Sequence, residues 1–174
     1  MKLTSKQKKI LIAALAVLVL AVLGRINGGQ VAVAPGQRDN PTSTVPAAAK
    51  EAIVTKIIDG DTVIVSGGDS VRLLGIDADE KGYPCYDAAR LRLEELVLGK
   101  TVLLETDAGN LDQYGRQLRY VFLNGENINE RLVAEGLAIA RFYPENQKYK
   151  AEIVAAETEA IKNKTGCKWQ NYKK

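Results

Sequence analysis

The chain contains no histidine, and that absence removes more chemistry than any other feature of its 174 residues. Without imidazole there is no Ser-His-Asp or Cys-His nucleophile system and no His-ligated zinc. Cysteine is almost as scarce. Cys85 and Cys167 are too few for a structural zinc site and allow at most one disulfide. Surplus positive charge is missing from the part of the chain that can fold. Residues 1–50 hold seven Lys/Arg and one acid, a balance of +6, whereas residues 51–174 hold 17 basic and 20 acidic residues, a balance of −3. Bulk charge therefore does not announce a nucleic-acid binder. Hydrolytic chemistry here must use carboxylates, arginines and a metal ion. What the chain does have is enough apolar residue, 46%, to bury a core, and length for one domain plus an appendage.

The appendage is amino-terminal. Lys2, Lys6, Lys8 and Lys9 precede an unbroken apolar run from Ile10 to Leu23. Fourteen residues make about 21 Å of helix, short of a hydrocarbon core of about 30 Å. That length suits the apolar region of a signal peptide. Ala32-Val33-Ala34 is a poor cleavage site, lying far past the run with Pro35 directly behind it. Snorkelling lysines and the stretch to Ile26 can extend the run instead. The expectation is an export signal over residues 10–26, retained as a transmembrane anchor or cleaved as a signal peptide, with the anchor preferred. Lysines before the run place the start inside and the remainder outside. Residues 1–9 are then a basic segment, 27–50 a flexible linker rich in Gly, Pro, Ala, Ser and Thr, and 51–174 the domain.

Within the domain, Ala52–Ile58 and Thr62–Val65 are rich in β-branched residues and read as two strands, or as one strand bent at Gly60. Ser66-Gly67-Gly68-Asp69 is a tight turn returning Val71–Leu74. With Gly67 and Gly68 as the loop, Val63 faces Arg72, and Asp61 and Arg72 share a face. Asp87 is placed to cap a helix running to about Leu98, with Ala89, Leu93, Leu96 and Val97 as its apolar stripe. Thr101–Glu105 and Leu118–Leu123 are strands, and Asn127 with Glu130 opens a second helix that Gly136 ends. Pro144 or Glu145 begins the last helix, with Tyr149, Ile153, Ala156 and Ala160 at helical spacing. The order describes an α+β domain whose strands can close into a small barrel.

The chemistry gathers in two stretches. Asp59 and Asp61 precede the second strand, Asp77, Asp79 and Glu80 follow the third, and Arg72 lies between them. Converging carboxylates repel unless a partner compensates, and a hard, oxygen-loving cation is the obvious one. The second stretch, Asp112-Gln113-Tyr114-Gly115-Arg116, bends at Gly115 so that Arg116 can be aimed away from the strand it introduces. Metal-binding acids, a spare carboxylate and two arginines form a complete set for phosphodiester hydrolysis. Two other functions use part of the set: a non-catalytic module binding single-stranded nucleic acid, and a calcium-stabilised adhesion domain in which the arginines have no role.

The segments I-D-G-D-T-V, V-R-L-L-G-I-D-A-D-E, D-Q-Y-G-R and N-E-R-L-V-A-E-G-L-A resemble the staphylococcal nuclease (thermonuclease) family, over residues 51–170. The resemblance implies a five-stranded OB-fold β-barrel with three α-helices, here preceded by the amino-terminal hydrophobic helix. It implies a calcium-dependent nuclease acting on DNA and RNA, with one Ca²⁺ held by Asp61, Asp77 and the Ala78 carbonyl. Glu80 is then the general base, Arg72 and Arg116 bind the scissile phosphate and stabilise its transition state, and Asp59 is an outer acid. Ala78-Asp79 stands where the family usually has Thr-Pro, which loosens the loop carrying Glu80, and the loop after Glu80 is short. Arg141 and Tyr143 replace a pair of nucleotide-stacking tyrosines; arginine can stack on a base and pair with phosphate. In an exported domain a Cys85–Cys167 disulfide closing about 80 residues can contribute ~4 kcal/mol. The expected partners are nucleic acid and, if the anchor is uncleaved, the membrane; the expected state is a monomer.

Overall fold

A computed structural model describes residues 49–170. The basic segment, the apolar run and residues 27–48 of the linker lie outside the described residues, as do residues 171–174. Five long or medium strands make the barrel: β1 (Ala49–Ile57), β2 (Thr62–Val65), β3 (Ser70–Leu73), β5 (Thr101–Glu105) and β6 (Gln117–Leu123). Three short strands decorate it, β4 (Ile76–Ala78), β7 (Glu126–Asn127) and β8 (Ala138–Ala140). The helices are α1 (Tyr86–Val97), α2 (Ile128–Ala134), α3 (Lys150–Asn163) and the single turn α4 (Gly166–Trp169). Three full helices and five barrel strands match the architecture expected from the sequence. β1 starts at Ala49, so Ala49 and Lys50, read as linker, are part of a strand.

The strands form a closed ring in the order β3-β2-β1-β5-β6, sealed by pairing β6 back on β3. β1 serves two neighbours. Its first half pairs with β5, from Ala49 opposite Glu105 to Ile53 opposite Thr101, and its second half pairs with β2. The register shifts between Val54 and Lys56, and such irregularity bends a strand sharply enough to leave one sheet for another. The sequence shows the shift: buried Ala52 and Val54 alternate strictly, and the next buried residue is Ile57. Val54, Val63, Val71, Leu73 and Tyr120 fill the barrel, and Leu93, Leu132 and Ile153 bring the helices onto it. Each such aliphatic side chain contributes about 1.5–3 kcal/mol by leaving water.

Several local expectations are corrected. Ile57 and Val63 face each other, so β1 and β2 are separate strands of a hairpin and not one bent strand. The β2–β3 register is one residue from the expected one. Val63 faces Val71 and Thr62 faces Arg72, because the loop has three residues, Ser66–Gly68, closed by the Val65 N–H on the Asp69 carbonyl. Asp87 lies in the first turn of α1 and does not cap it; the Cys85 N–H is instead taken by the Asp79 carboxylate at 2.9 Å. The last helix begins at Lys150, since Tyr143 and Asn146 close a turn through the Pro144 region. Other readings stand. The α1 stripe of Ala89, Leu93, Leu96 and Val97 is buried, and Asn127 caps α2 by accepting from the Asn129 and Glu130 N–H groups.

One polar residue sits at the heart of the assembly. Asn129 is fully buried, donates to the Leu74 and Arg119 carbonyls at 2.8 and 3.2 Å, and accepts from the Val121 N–H at 3.0 Å. It ties α2 to the strand ends beside the site. Among the described residues no helix is long and apolar enough to cross a membrane.

Candidate active site

The floor of the site is the turn between β1 and β2. The Asp59 carboxylate accepts the Asp61 N–H at 3.0 Å, which folds the turn over Gly60. Gly60 is pressed between two elements: a Cβ there would stand 2.6 Å from that of Ala89 and 2.7 Å from that of Ala78. Only glycine lets the turn lie this close to α1 and β4. The Asp61 side chain is thereby buried, at 6% exposure, accepting from the Ala78 N–H at 2.8 Å and the Thr62 hydroxyl at 3.1 Å. Burial pushes its carboxyl up to about 6, against the pull of the Arg72 guanidinium and the Ala78 N–H.

Arg72 holds the site's centre. Its Nη2 lies 2.9 Å from Asp61 and 3.0 Å from Asp77, and its Nη1 donates to the Leu73 and Ile76 carbonyls at 2.7 and 3.0 Å. The corrected register places Asp61 opposite Leu73, not on the Arg72 face; the Leu73 N–H bonds the Asp61 carbonyl at 2.8 Å. The contact survives because the long arginine side chain folds back over the end of its own strand. Reach, not strand parity, joins the pair. Asp77 is positioned by β4, which pairs with β8 through Asp77 opposite Ile139. That pairing brings Arg141 alongside, with Nη1 2.8 Å from the second Asp77 oxygen. The Asp77 carboxylate in turn holds the Arg141 guanidinium above its ordinary value.

Arg116 enters from the loop before β6. Both oxygens of Asp112 hold it: one takes Nε at 2.6 Å, and the other takes the Tyr114 and Arg116 N–H groups at 2.9 and 3.0 Å. Burial raises the Asp112 carboxyl, but the Arg116 side chain and these N–H groups outweigh it and leave it below the usual range. The Tyr114 ring stacks under the guanidinium, 5.4 Å from its centroid. Arg116 Nη1 reaches the Thr62 hydroxyl at 3.3 Å, and that hydroxyl donates to Asp61. The contacts therefore run without a break from Arg116 through Thr62, Asp61, Arg72 and Asp77 to Arg141. Reading of the sequence missed two links, Asp112 and Thr62. Both stood inside quoted motifs, but neither a turn aspartate nor a strand threonine signals that it will orient an arginine.

Above this line opens a cleft of about 510 Å³, within the range typical of small-molecule sites. Arg72, Asp77, Glu80, Arg116, Arg141 and Tyr143 all line it, while Asp61 and Ala78 lie beneath. Tyr143 is 54% exposed at its rim. Asp61, Asp77 and Asp112 are each bound to a guanidinium, whereas the exposed Glu80 carboxylate has neither hydrogen bond nor ion pair among the described residues. Asp79, beside it, points elsewhere: one oxygen takes the Cys85 N–H and the other pairs with Lys168. Burial raises its carboxyl, but Lys168 and the Cys85 N–H together bring it below the usual range. The loop carrying Glu80 is thus fastened at Asp79, contrary to the loosening expected from the missing proline. Cys85 and Cys167 form the expected disulfide, with Cα atoms 5.6 Å apart.

The residues fit a hard cation in one respect. Two carboxylates converge on a single cationic atom, and an all-oxygen donor set with a buried, reluctantly ionised aspartate gains from a divalent ion. Among the described residues, however, no three acids are gathered as a ready metal cluster.

Comparison with known proteins places these features in company. A family model described as "Staphylococcal nuclease homologue" matches residues 70–171. The thermonuclease of Staphylococcus intermedius is 37% identical over 164 residues, covering 88% of this chain and 91% of the relative. That of Staphylococcus hyicus is 38% identical over 128 residues, covering 68% and 75%. Endonuclease YncB of Bacillus subtilis is 38% identical over 120 residues, covering 63% and 57%.

Proposed function

The chain belongs to the staphylococcal nuclease family and is a hydrolytic nuclease; from that premise we propose that it cleaves DNA, RNA or both in a calcium-dependent reaction outside the cytoplasmic membrane. The observation that supports this reading best is the pairing pattern around the cleft. Asp61, Asp77 and Asp112 are engaged by arginines, whereas Glu80, which the family resemblance makes the base, is without a partner among the described residues, as is Glu145. Export rests on the lysine-led apolar run and agrees with a disulfide, which persists in oxidising compartments. Whether the run stays as a membrane anchor or is cut off is left to the mature protein's amino terminus, which its mass reads directly. The domain acts as a monomer on nucleic acid.

Membership implies dependence on a divalent metal in general, and we assign one calcium ion, held by the Asp61 and Asp77 carboxylates and the Ala78 carbonyl. Such an ion neutralises phosphate charge and polarises the phosphorus. The protein's own groups do the rest. Arg72 offers Nε, the guanidinium nitrogen that its carbonyl and carboxylate partners leave unused. Arg116 offers Nη2, while Asp112 and Thr62 hold its other nitrogens. Together they grip the phosphate oxygens and stabilise the charge that builds in the transition state, an effect worth about 2.7–4 kcal/mol per donor. Glu80 accepts a proton from the attacking water. Arg141 and Tyr143 contact the bases and backbone of the flanking nucleotide. Asp59 acts only from behind, by fixing the turn that carries Asp61.

The test is cleavage of supercoiled plasmid and single-stranded DNA by the purified protein. Cleavage in calcium and none in chelator is expected, with circular dichroism unchanged. An intact fold that cuts nothing in calcium would refute the assignment. A second outcome concerns Asp112. Asp112→Ala frees Arg116 Nε and leaves two N–H groups without acceptors, so kcat/KM should fall about tenfold or more. Steady-state kinetics on a short oligonucleotide checks it, and a parental rate would show that Arg116 needs no orienting partner.

A further inference from the structure

The helical turn α4 touches the site's framework at four points. Its entry packs backbone to backbone against the end of α2. A Cβ on Gly136 would stand 1.9 Å from the Thr165 carbonyl oxygen, and one on Gly166 2.2 Å from that of Glu135. The Lys168 N–H adds a bond to the Gly136 carbonyl at 3.1 Å. With no side chain between the two segments, α4 has one place to sit. From that place Cys167 is bonded to Cys85 and the Lys168 ammonium is paired with Asp79. Asp79 closes the circuit by accepting the Cys85 N–H at 2.9 Å.

Between Asp79 and Cys85 runs the segment that carries Glu80. Lys81, Gly82, Tyr83 and Pro84 are all exposed, and the segment's internal tie is the Tyr83 N–H on the Glu80 carbonyl at 3.0 Å. No core residue lies inside it, so its position depends on its two ends and on the Tyr86 N–H, which bonds the Tyr83 carbonyl at 3.2 Å. β4 and α1 carry the two ends, and α4 adds a hold on each: Lys168 on Asp79 and Cys167 on Cys85. The carboxylate of Glu80 itself has no partner among the described residues to locate it.

We infer that α4 is a clamp that sets Glu80 in the cleft, with Lys168 and Asp79 as positioning residues and the Cys85–Cys167 disulfide as its second jaw, so that full activity belongs to the oxidised protein. The inference rests on the proposed role of Glu80 and adds to it. Where the family resemblance implies a proline, this chain has Asp79, and its ion pair pins the backbone from the chain's far end. Displacement of a reacting group by an ångström can cost a hundredfold in rate, so a partial loosening should cost about tenfold.

The experiment uses the full-length oxidised protein in calcium, with Lys168→Met, Lys168→Arg, Asp79→Asn and Glu80→Gln measured side by side. Lys168→Met and Asp79→Asn should lower kcat about tenfold with KM near the parental value, and Lys168→Arg should restore most of the rate. Trypsin nicking after Lys81, read by mass after reduction, should quicken in Lys168→Met and in the parent treated with dithiothreitol. A Lys168→Met or Asp79→Asn protein that cuts at the parental rate while Glu80→Gln is slow overturns the clamp. A Glu80→Gln protein that is not slow overturns the underlying role of Glu80, and the clamp with it. If Lys168→Met fails to fold, the parent alone decides: unchanged nicking after reduction refutes the second jaw, and quickened nicking with a loss of kcat supports it.

Discussion

Glu80→Gln will slow phosphodiester cleavage by roughly a hundredfold or more while leaving nucleic-acid binding and thermal stability as they are in the parent. The expectation follows from what the other acids are doing. Asp61, Asp77 and Asp112 each neutralise a guanidinium, and protonating any of them would undo an ion pair. Glu80 and Glu145 both line the cleft with exposed carboxylates that have no partner among the described residues. Glu80 is the one that the family resemblance makes the base, and it can take a proton without disturbing its neighbours. Glutamine keeps the shape and removes the basicity. Because the side chain makes no hydrogen bond there, the fold loses nothing. Single-turnover cleavage and anisotropy titration in calcium separate the two effects. A variant that cuts as fast as the parent would move the base assignment to another carboxylate, with Glu145, the other unpartnered acid lining the cleft, next.

Asp61→Asn should do two opposite things at once: reduce cleavage by about a hundredfold or more and make the metal-free protein more stable. Burial raises the Asp61 carboxyl from its ordinary value of 3.8 to about 6 in the fold. Below pH 4 the group is protonated folded or unfolded, and costs nothing. As pH rises through the window from about 4 to about 6, the unfolded chain releases its proton and the folded one keeps it, so stability falls. Above that window the cost is fully present, at no more than about 3 kcal/mol. Asparagine removes the charge, although it weakens the hydrogen bonds from Ala78 and Arg72, so the net gain at neutral pH is set at about 1 kcal/mol. Urea denaturation in chelator from pH 4 to 7 is the measurement. The parent should lose stability relative to Asp61→Asn across that window, and parallel curves would show that Asp61 ionises freely in the fold. Asp79, Asp112 and Glu135, whose carboxyls lie below their ordinary values, act in the other sense and lose stability as pH falls; the difference between variant and parent removes them.

The barrel was legible where residues alternate or punctuate. Val71, the α1 stripe and the Asn127 cap could be located from spacing alone, whereas Val63, expected on the Arg72 face, is buried opposite Val71 and Ile64 is the half-buried one. What local pattern cannot show is pairing at a distance. β4 and β8 have three residues each and lie far apart in the chain, and no periodicity marks them. Yet they deliver Asp77 to Arg141. The β2–β3 register failed because Ser66 joined the loop, a matter of one residue, and the site did not fail with it because the Arg72 guanidinium reaches past its own strand. Asp79 was misjudged for a related reason. Read along the chain it is one more negative charge beside the site; in space it belongs to Lys168, 89 residues away.

The ring of strands is sealed by the parallel pairing of β3 with β6, in which Val71 meets Gln117 and Arg72 meets Leu118. Contacts between segments this far apart in the chain carry a large loop-closure entropy and form after local hairpins. Arg72 stands on one of the two strands, and Arg116 immediately precedes the other. Closing the seam therefore brings the two arginines to the same end of the barrel, where Arg116 reaches Thr62 and Arg72 reaches Asp61. The seam thus belongs to the proposed site as much as to the barrel: without it Arg116 does not stand beside Thr62 and Asp61.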